Sequence, residues 1–254
     1  EMLSCDPDKP HGVWLWQGVS SDVINVANPE AVQFAKDVVD ELTDIFPYEY
    51  LHLGGDECPT SAWEGNALCQ QKKEALGLKS FRELQSLFVK DIADYLATKG
   101  KKINVWNEAI TYDGADVALI KSTDATVWWW TGADAAARKA VAEKLHYVFT
   151  PWGPGYINRR QSLDWGESTL PGNGSDTPQA TYNINPLPGI TGSNAQYCSG
   201  VQGTFWTEHI ADAEVMEYQA LPRLIAIAEL GWTSIANKNY EDFRRRFTAD
   251  TLLL

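Results

Sequence analysis

The sequence predicts an α/β fold and, within that class, a (β/α)8 barrel of parallel strands. Two observations carry the prediction. Short apolar runs alternate with helical patterns through five strand-plus-helix rounds, the pattern of parallel strands joined by crossover helices. Polar and aromatic residues then recur where each strand ends: Asp56-Glu57, Trp106-Asn107-Glu108, Trp130, Trp152 to Tyr156, and Trp206 with Glu208. In a barrel such strand ends converge on one face, which holds the site, whereas a doubly wound sheet spreads them along an edge.

The elements follow in order. A helix is expected over 29–46, where Ala31, Phe34, Val38, Leu42 and Ile45 form an apolar stripe, Asn28 is a capping residue and Pro29 suits the first helical position. Tyr50-Leu51-His52-Leu53 reads as a short buried strand running into Gly54-Gly55, where the backbone can turn tightly. A second helix spans about 80–98, opened by a Ser80/Glu83 capping box and ended at Gly100. Strands at Ile103–Trp106, Ala125–Trp130 and Tyr147–Thr150 follow, with helical stretches near 113–121 and over Ala133–Glu143 between them. Residues 151–199 are rich in Gly, Pro, Asn, Ser and Thr and read as a long functional loop. Val201–Trp206 is the last expected strand, followed by helices from Pro222 and over 239–254.

Composition narrows the function. With 44% apolar residues in 254, the chain can bury a substantial core. Its net charge of −13 disfavours a nucleic-acid partner or an anionic membrane surface, both of which need a basic face. No run is long and apolar enough to span a bilayer, no signal peptide is visible, and Glu1 is not a natural start, so an N-terminal portion is expected to be missing. The 11 Trp outnumber both Phe and Tyr. Large rings fill cores, but flat indoles also stack on pyranose rings. Cys5, Cys58, Cys69 and Cys198 include no CxxC pair; three full pairings are open, as are four free thiols.

The strongest chemical signal is His52-Leu53-Gly54-Gly55-Asp56-Glu57. Adjacent acids usually mark a solvated turn, but this pair directly follows a buried strand and two glycines. One acid can protonate a glycosidic oxygen if a partly apolar surround raises its pKa. Neighbours on an extended backbone point to opposite sides, so the two do not form a facing carboxylate pair and another nucleophile is needed.

This segment resembles the H-x-G-G-D-E signature of family-20 glycoside hydrolases, the β-N-acetylhexosaminidases. The likeness continues downstream. Val105-Trp106-Asn107-Glu108 resembles the W-x-E of the family's fifth barrel strand, and Val127 to Trp130 its sixth. Thr150-Pro151 through Tyr156-Ile157 resembles its seventh-strand S-P…Y-L-D. Gly203 to Glu208, Pro222-Arg223 and Ala228 to Trp232 resemble its eighth strand and last helix. The matches run in order along nearly the whole chain.

The resemblance implies substrate-assisted retaining hydrolysis of terminal β-linked N-acetylhexosamine, in which the 2-acetamido group forms an oxazolinium intermediate. It makes Glu57 the general acid/base and has Asp56 orient the acetamido nitrogen. Tyr156 would donate to the acetamido oxygen, Trp106, Trp130 and Trp206 would wall the pocket, and Glu208 would accept from sugar hydroxyls. It implies no cofactor or metal, a glycan containing N-acetylhexosamine as partner, and an extracellular or periplasmic location. His52 is expected to support the turn. Glu108 reads equally as a structural partner, and Glu208 alternatively as a helix cap.

On this likeness residues 1–254 are the C-terminal portion of a single catalytic TIM-barrel domain, holding about strands 4–8, with a loop insertion at about 159–199. Five strands would leave open edges, so this chain alone is expected to associate or fold as a partial barrel and to lack most turnover. Asn158 departs from the family's usual Asp. Two other functions remain open: a disaccharide-releasing enzyme like a lacto-N-biosidase, and a sugar-binding fragment without turnover. Activity on aryl N-acetylglucosaminides, and on aryl mono- against disaccharides, separates the three.

Overall fold

The computed structural model describes residues 3–15, 18–162 and 175–251. The chain forms two compact units, one of residues 1–128 with 142–145 and one of 129–141 with 146–254.

In the first unit, helix α1 (Pro29–Ile45) is capped as expected, the Asn28 side chain accepting from the Glu30 N–H. Strand β1 (Tyr50–His52) pairs in parallel with β2 (Lys102–Trp106), which pairs in parallel with β3 (Thr126–Trp129). The short helices α2 (Ser61–Gly65) and α3 (Ala67–Ala75) lie between β1 and the long helix α4 (Arg82–Ala97). Helix α4 buries Leu84, Val89, Ile92 and Leu96 and packs on β2, whose inward residues are Ile103 and Val105. Helices α5 (Glu108–Thr111) and α6 (Val117–Lys121) lead to β3.

The capping box at α4 is displaced. Ser80 Oγ accepts from the Glu83 N–H at 3.3 Å, but the Glu83 carboxylate reaches back to the N–H of Lys79, not Ser80, at 2.6 Å. The helix itself runs from Arg82. The apolar stripe of α1 also differs from a core face. Ala31 and Val39 are buried, but Phe34, Val38 and Ile45 stay exposed. Phe34 and Val38 line a cavity of about 490 Å³ with Leu51 and Leu53.

In the second unit, Trp129 and Trp130 run beside the end of β4 (Tyr147–Phe149): their carbonyls accept from the N–H groups of Thr150 and Trp152 at 2.9 and 2.7 Å. Helix α7 (Ala133–Ala142) precedes β4, and β5 (Cys198–Val201) pairs with it in parallel. The last strand thus lies earlier than the expected 201–206. Beyond Phe149 the partner turns away at Thr150-Pro151, and proline has no N–H to donate. Pairing resumes only as an isolated bridge between Tyr156 and Thr204. The 151–199 segment is not all loop: it holds helix α8 (Pro178–Tyr182) and a 3₁₀ turn at Gly192–Tyr197, while residues 163–174 of the expected insertion lie outside the described residues. Helices α9 (Ala213–Ala220), α10 (Arg223–Trp232) and α11 (Tyr240–Thr251) complete the unit, with Tyr182, Ala226 and Phe243 in one apolar cluster.

Candidate active site

In the first unit the site is built on a strained turn after β1. Gly54 and Gly55 have φ of 76° and 101°, a region that costs glycine little, and Glu57 follows at φ 41°. The extended backbone expected for Asp56-Glu57 is therefore absent at Glu57. A non-glycine residue in this region carries a conformational cost of about 1 kcal/mol or more, held by its surroundings. Those surroundings are Gln85 and Tyr112. Gln85 Nε2 donates to the Gly55 carbonyl at 3.1 Å, while its own carbonyl accepts from Arg82 at 2.6 Å. The Arg82 guanidinium stacks on the Tyr112 ring at 4.2 Å, and Tyr112 hydrogen-bonds the backbone of Glu57. Burial, and then the Glu108 carboxylate nearby, push the Tyr112 hydroxyl above its ordinary pKa. Glu108 is itself buried in the first turn of α5.

The two acids have unlike environments. Asp56 is partly buried, and that desolvation raises its pKa, offset in part by its own backbone N–H. Glu57 is exposed. The apolar surround that the sequence suggested for a proton donor falls on Asp56.

Alternation along the strands puts His52, Trp106 and Trp128 together. The His52 ring lies 4.6 Å from Trp106 and 5.3 Å from Trp128, and the two indoles are 6.2 Å apart, edge to face. Trp129, the next residue, is buried on the opposite side against Tyr147 and Phe149. His52 Nδ1 accepts from the Gly54 N–H at 3.0 Å, which is the supporting role expected of it. With Nδ1 an acceptor, Nε2 holds the proton, and among the described residues it finds no acceptor.

In the second unit Tyr156 is the centre of an aromatic cluster. Its ring lies 5.0 Å from Trp152, 6.3 Å from Trp130 and 6.4 Å from Trp206. Tyr156 is buried, while Trp152 and Trp206 keep 47% and 41% of their surface open. Tyr156 follows a tight turn at Gly155, where a side chain would meet the Pro151 carbonyl at 2.6 Å. Arg223 holds the segment beyond: fully buried, it donates to the carbonyls of Ile157 and Gln219, each at 2.7 Å, and to Gln219 Oε1 at 3.0 Å. Arg159 pairs with Asp176 and lies 4.8 Å over the Trp152 ring. Asn158 is buried, and its Oδ1 finds no donor among the described residues. Glu208 is exposed in a turn after Trp206 and is not the cap of α9, which is Asp212.

The structure thus assembles Asp56, Glu57 and Trp106 around β1 and β2 of one unit, and Trp130, Tyr156 and Trp206 in the other. The sequence reading missed Gln85, Arg82 and Tyr112 as supports of the acidic turn, and gave Arg223 no role. A Gln and an Arg on one face of α4, three residues apart, were the only visible sign of the first group.

Residues 1–235 match the glycosyl hydrolase family 20 catalytic domain. The chain is 36% identical over 250 residues to a beta-hexosaminidase of Porphyromonas gingivalis, covering 96% of this chain and 30% of that protein. It resembles a solved beta-N-acetylhexosaminidase with TM-score 0.86 and 28% identity, over 98% of this chain and 52% of that one. It also resembles the GH20 exo beta-N-acetylglucosaminidase of Vibrio harveyi, solved in complex with N-acetylglucosamine, with TM-score 0.82 and 27% identity, over 91% and 36%. The chain therefore spans roughly a third to a half of the length of these relatives. On the family match and the identity over nearly its whole length, the chain belongs to glycosyl hydrolase family 20.

Proposed function

We propose that this protein removes terminal β-linked N-acetylhexosamine from glycans by substrate-assisted, retaining hydrolysis, outside the cytoplasm. The observation that carries the proposal is the glycine turn after β1, which presents two acids in different environments. Glu57, exposed to solvent, protonates the departing glycosidic oxygen and then takes a proton from water. Asp56 receives the acetamido N–H. Its partial burial disfavours a lone carboxylate and for the same reason strengthens its attraction to the cation that forms as the acetamido oxygen closes on the anomeric carbon. Tyr156 donates to that acetamido oxygen. Trp106, Trp130 and Trp206 supply flat apolar walls, and Glu208 accepts from sugar hydroxyls. Five parallel strands joined by helices are read here as five of the eight that close a (β/α)8 barrel.

Hydrolysis of an aryl β-N-acetylglucosaminide tests the proposal, with a thiazoline mimic of the cyclised intermediate as inhibitor. The mimic is expected to bind at least about a hundredfold more tightly than N-acetylglucosamine, since it resembles what the site stabilises. Equal binding would sink the substrate-assisted mechanism. Release of aryl alcohol from a disaccharide but not from the monosaccharide would make the enzyme disaccharide-releasing instead.

A further inference from the structure

Three of the four cysteines gather in the first unit, and none takes part in the hydrolysis just described. Cys5 packs against the apolar cluster that holds the buried Cys69. The Cys69 S–H donates to Asn25 Oδ1 at 3.3 Å. The backbones are held as well. The Asn66 side chain donates to the Cys5 carbonyl at 2.7 Å and accepts from the Cys69 N–H at 3.1 Å. Asn25 donates its N–H to the Leu3 carbonyl at 2.7 Å, which anchors the chain on the other side of Cys5. Cys58 borders the same cluster, but its thiol is directed to the Pro59 carbonyl at 4.0 Å. Cys198 belongs to the other unit, with its thiol directed to the carbonyls of Pro186 and Gly200.

We propose that Cys5 and Cys69 are a disulfide-forming pair, oxidised by a low-molecular-weight disulfide such as oxidised glutathione, with Cys58 and Cys198 remaining thiols. Cys5 meets the reagent first, because Cys69 is fully buried and Cys5 only partly. The Cys5 thiolate attacks one glutathione sulfur and expels the other glutathione. The Cys69 thiolate then attacks the Cys5 sulfur and expels the second. Two electrons pass from the cysteines to glutathione disulfide, and the two thiol protons end on the released glutathiones. Burial pushes the Cys5 thiol up to about 12, so its thiolate fraction is small and the first step slow. The product closes a loop from residue 5 to residue 69 around β1 and the acidic turn, which restricts the unfolded chain.

The test uses the full chain, incubated with oxidised glutathione at mildly alkaline pH, then alkylated and digested without reductant for mass spectrometry. A Cys5–Cys69 cross-linked peptide pair is expected, two hydrogens lighter than its free parts, with Cys58 and Cys198 alkylated. The oxidised protein should melt about 5 °C or more above the same protein in dithiothreitol. Cys58→Ser should form the same bond with the same shift, and Cys5→Ser and Cys69→Ser should each lose both. A Cys5–Cys58 bond, a stable glutathione adduct, a bond between two chains, or four alkylated cysteines would overturn the assignment.

Discussion

The imidazole of His52 packs 4.6 Å from the indole of Trp106, tilted by 54°, and its Nδ1 accepts from the Gly54 N–H in the turn that carries the acids. Burial among these rings lowers its pKa from 6.5 to about 4. A histidine held neutral in the folded state contributes fully above 6.5, where the unfolded chain is also neutral, and loses that contribution as pH falls from 6.5 towards 4. The loss is on the order of 3 kcal/mol. Asp56 shifts upward and so acts in the opposite sense at low pH. His52→Gln keeps an acceptor for Gly54 but removes the titration, so urea midpoints measured from pH 7 to 4 should fall less steeply in the variant. Parallel curves would show that His52 does not titrate against folding.

Glu57→Gln keeps the size of the side chain and removes its proton. For substrates with poor leaving groups the rate should drop by about 10²–10⁴, the usual worth of general acid catalysis. A dinitrophenyl leaving group needs little protonation, and its release in the first step should suffer much less. Equal losses for both, or none, would assign the acid elsewhere.

Arg223 donates to the backbone carbonyls of Ile157, Gln219 and Asp176 and to the Gln219 side-chain carbonyl in a fully buried setting. Arg223→Met removes the donors and leaves those acceptors unpaired beside Tyr156-Ile157. The expected cost is about 3 kcal/mol or more, read from denaturant midpoints. Arg223→Lys, with one point charge in place of a planar fork, should recover only part of it. A change below about 1 kcal/mol for Arg223→Met would mean that water replaces the guanidinium.

Local patterns announced most of the elements. Asn28-Pro29 before a helical stripe, Ile103 to Trp106 with alternating burial, and Gly54-Gly55 after a short apolar run are each written in adjacent residues, and each appears in the structure. The last strand was misplaced for a comparable reason. Val201–Trp206 looks apolar and β-prone, while Cys198-Ser199-Gly200 looks like loop. Which of them forms a ladder depends on where the partner strand bends, and that is set at Pro151, about fifty residues away.

By itself the sequence determined the family, the succession of five strands with the longer helices between them, and the two acids with their glycine turn, because these depend on neighbouring residues and on residue type. Only the tertiary structure decided how each group is solvated and held. It put Asp56 in a partly buried position and left Glu57 in solvent, gave Gln85 and Tyr112 to the turn and Arg223 to the Tyr156 segment, and left Phe34 and Val38 of the α1 stripe uncovered. Burial and long-range hydrogen bonding are properties of what packs against a residue, and residues 30 to 66 positions apart meet only when the chain has folded.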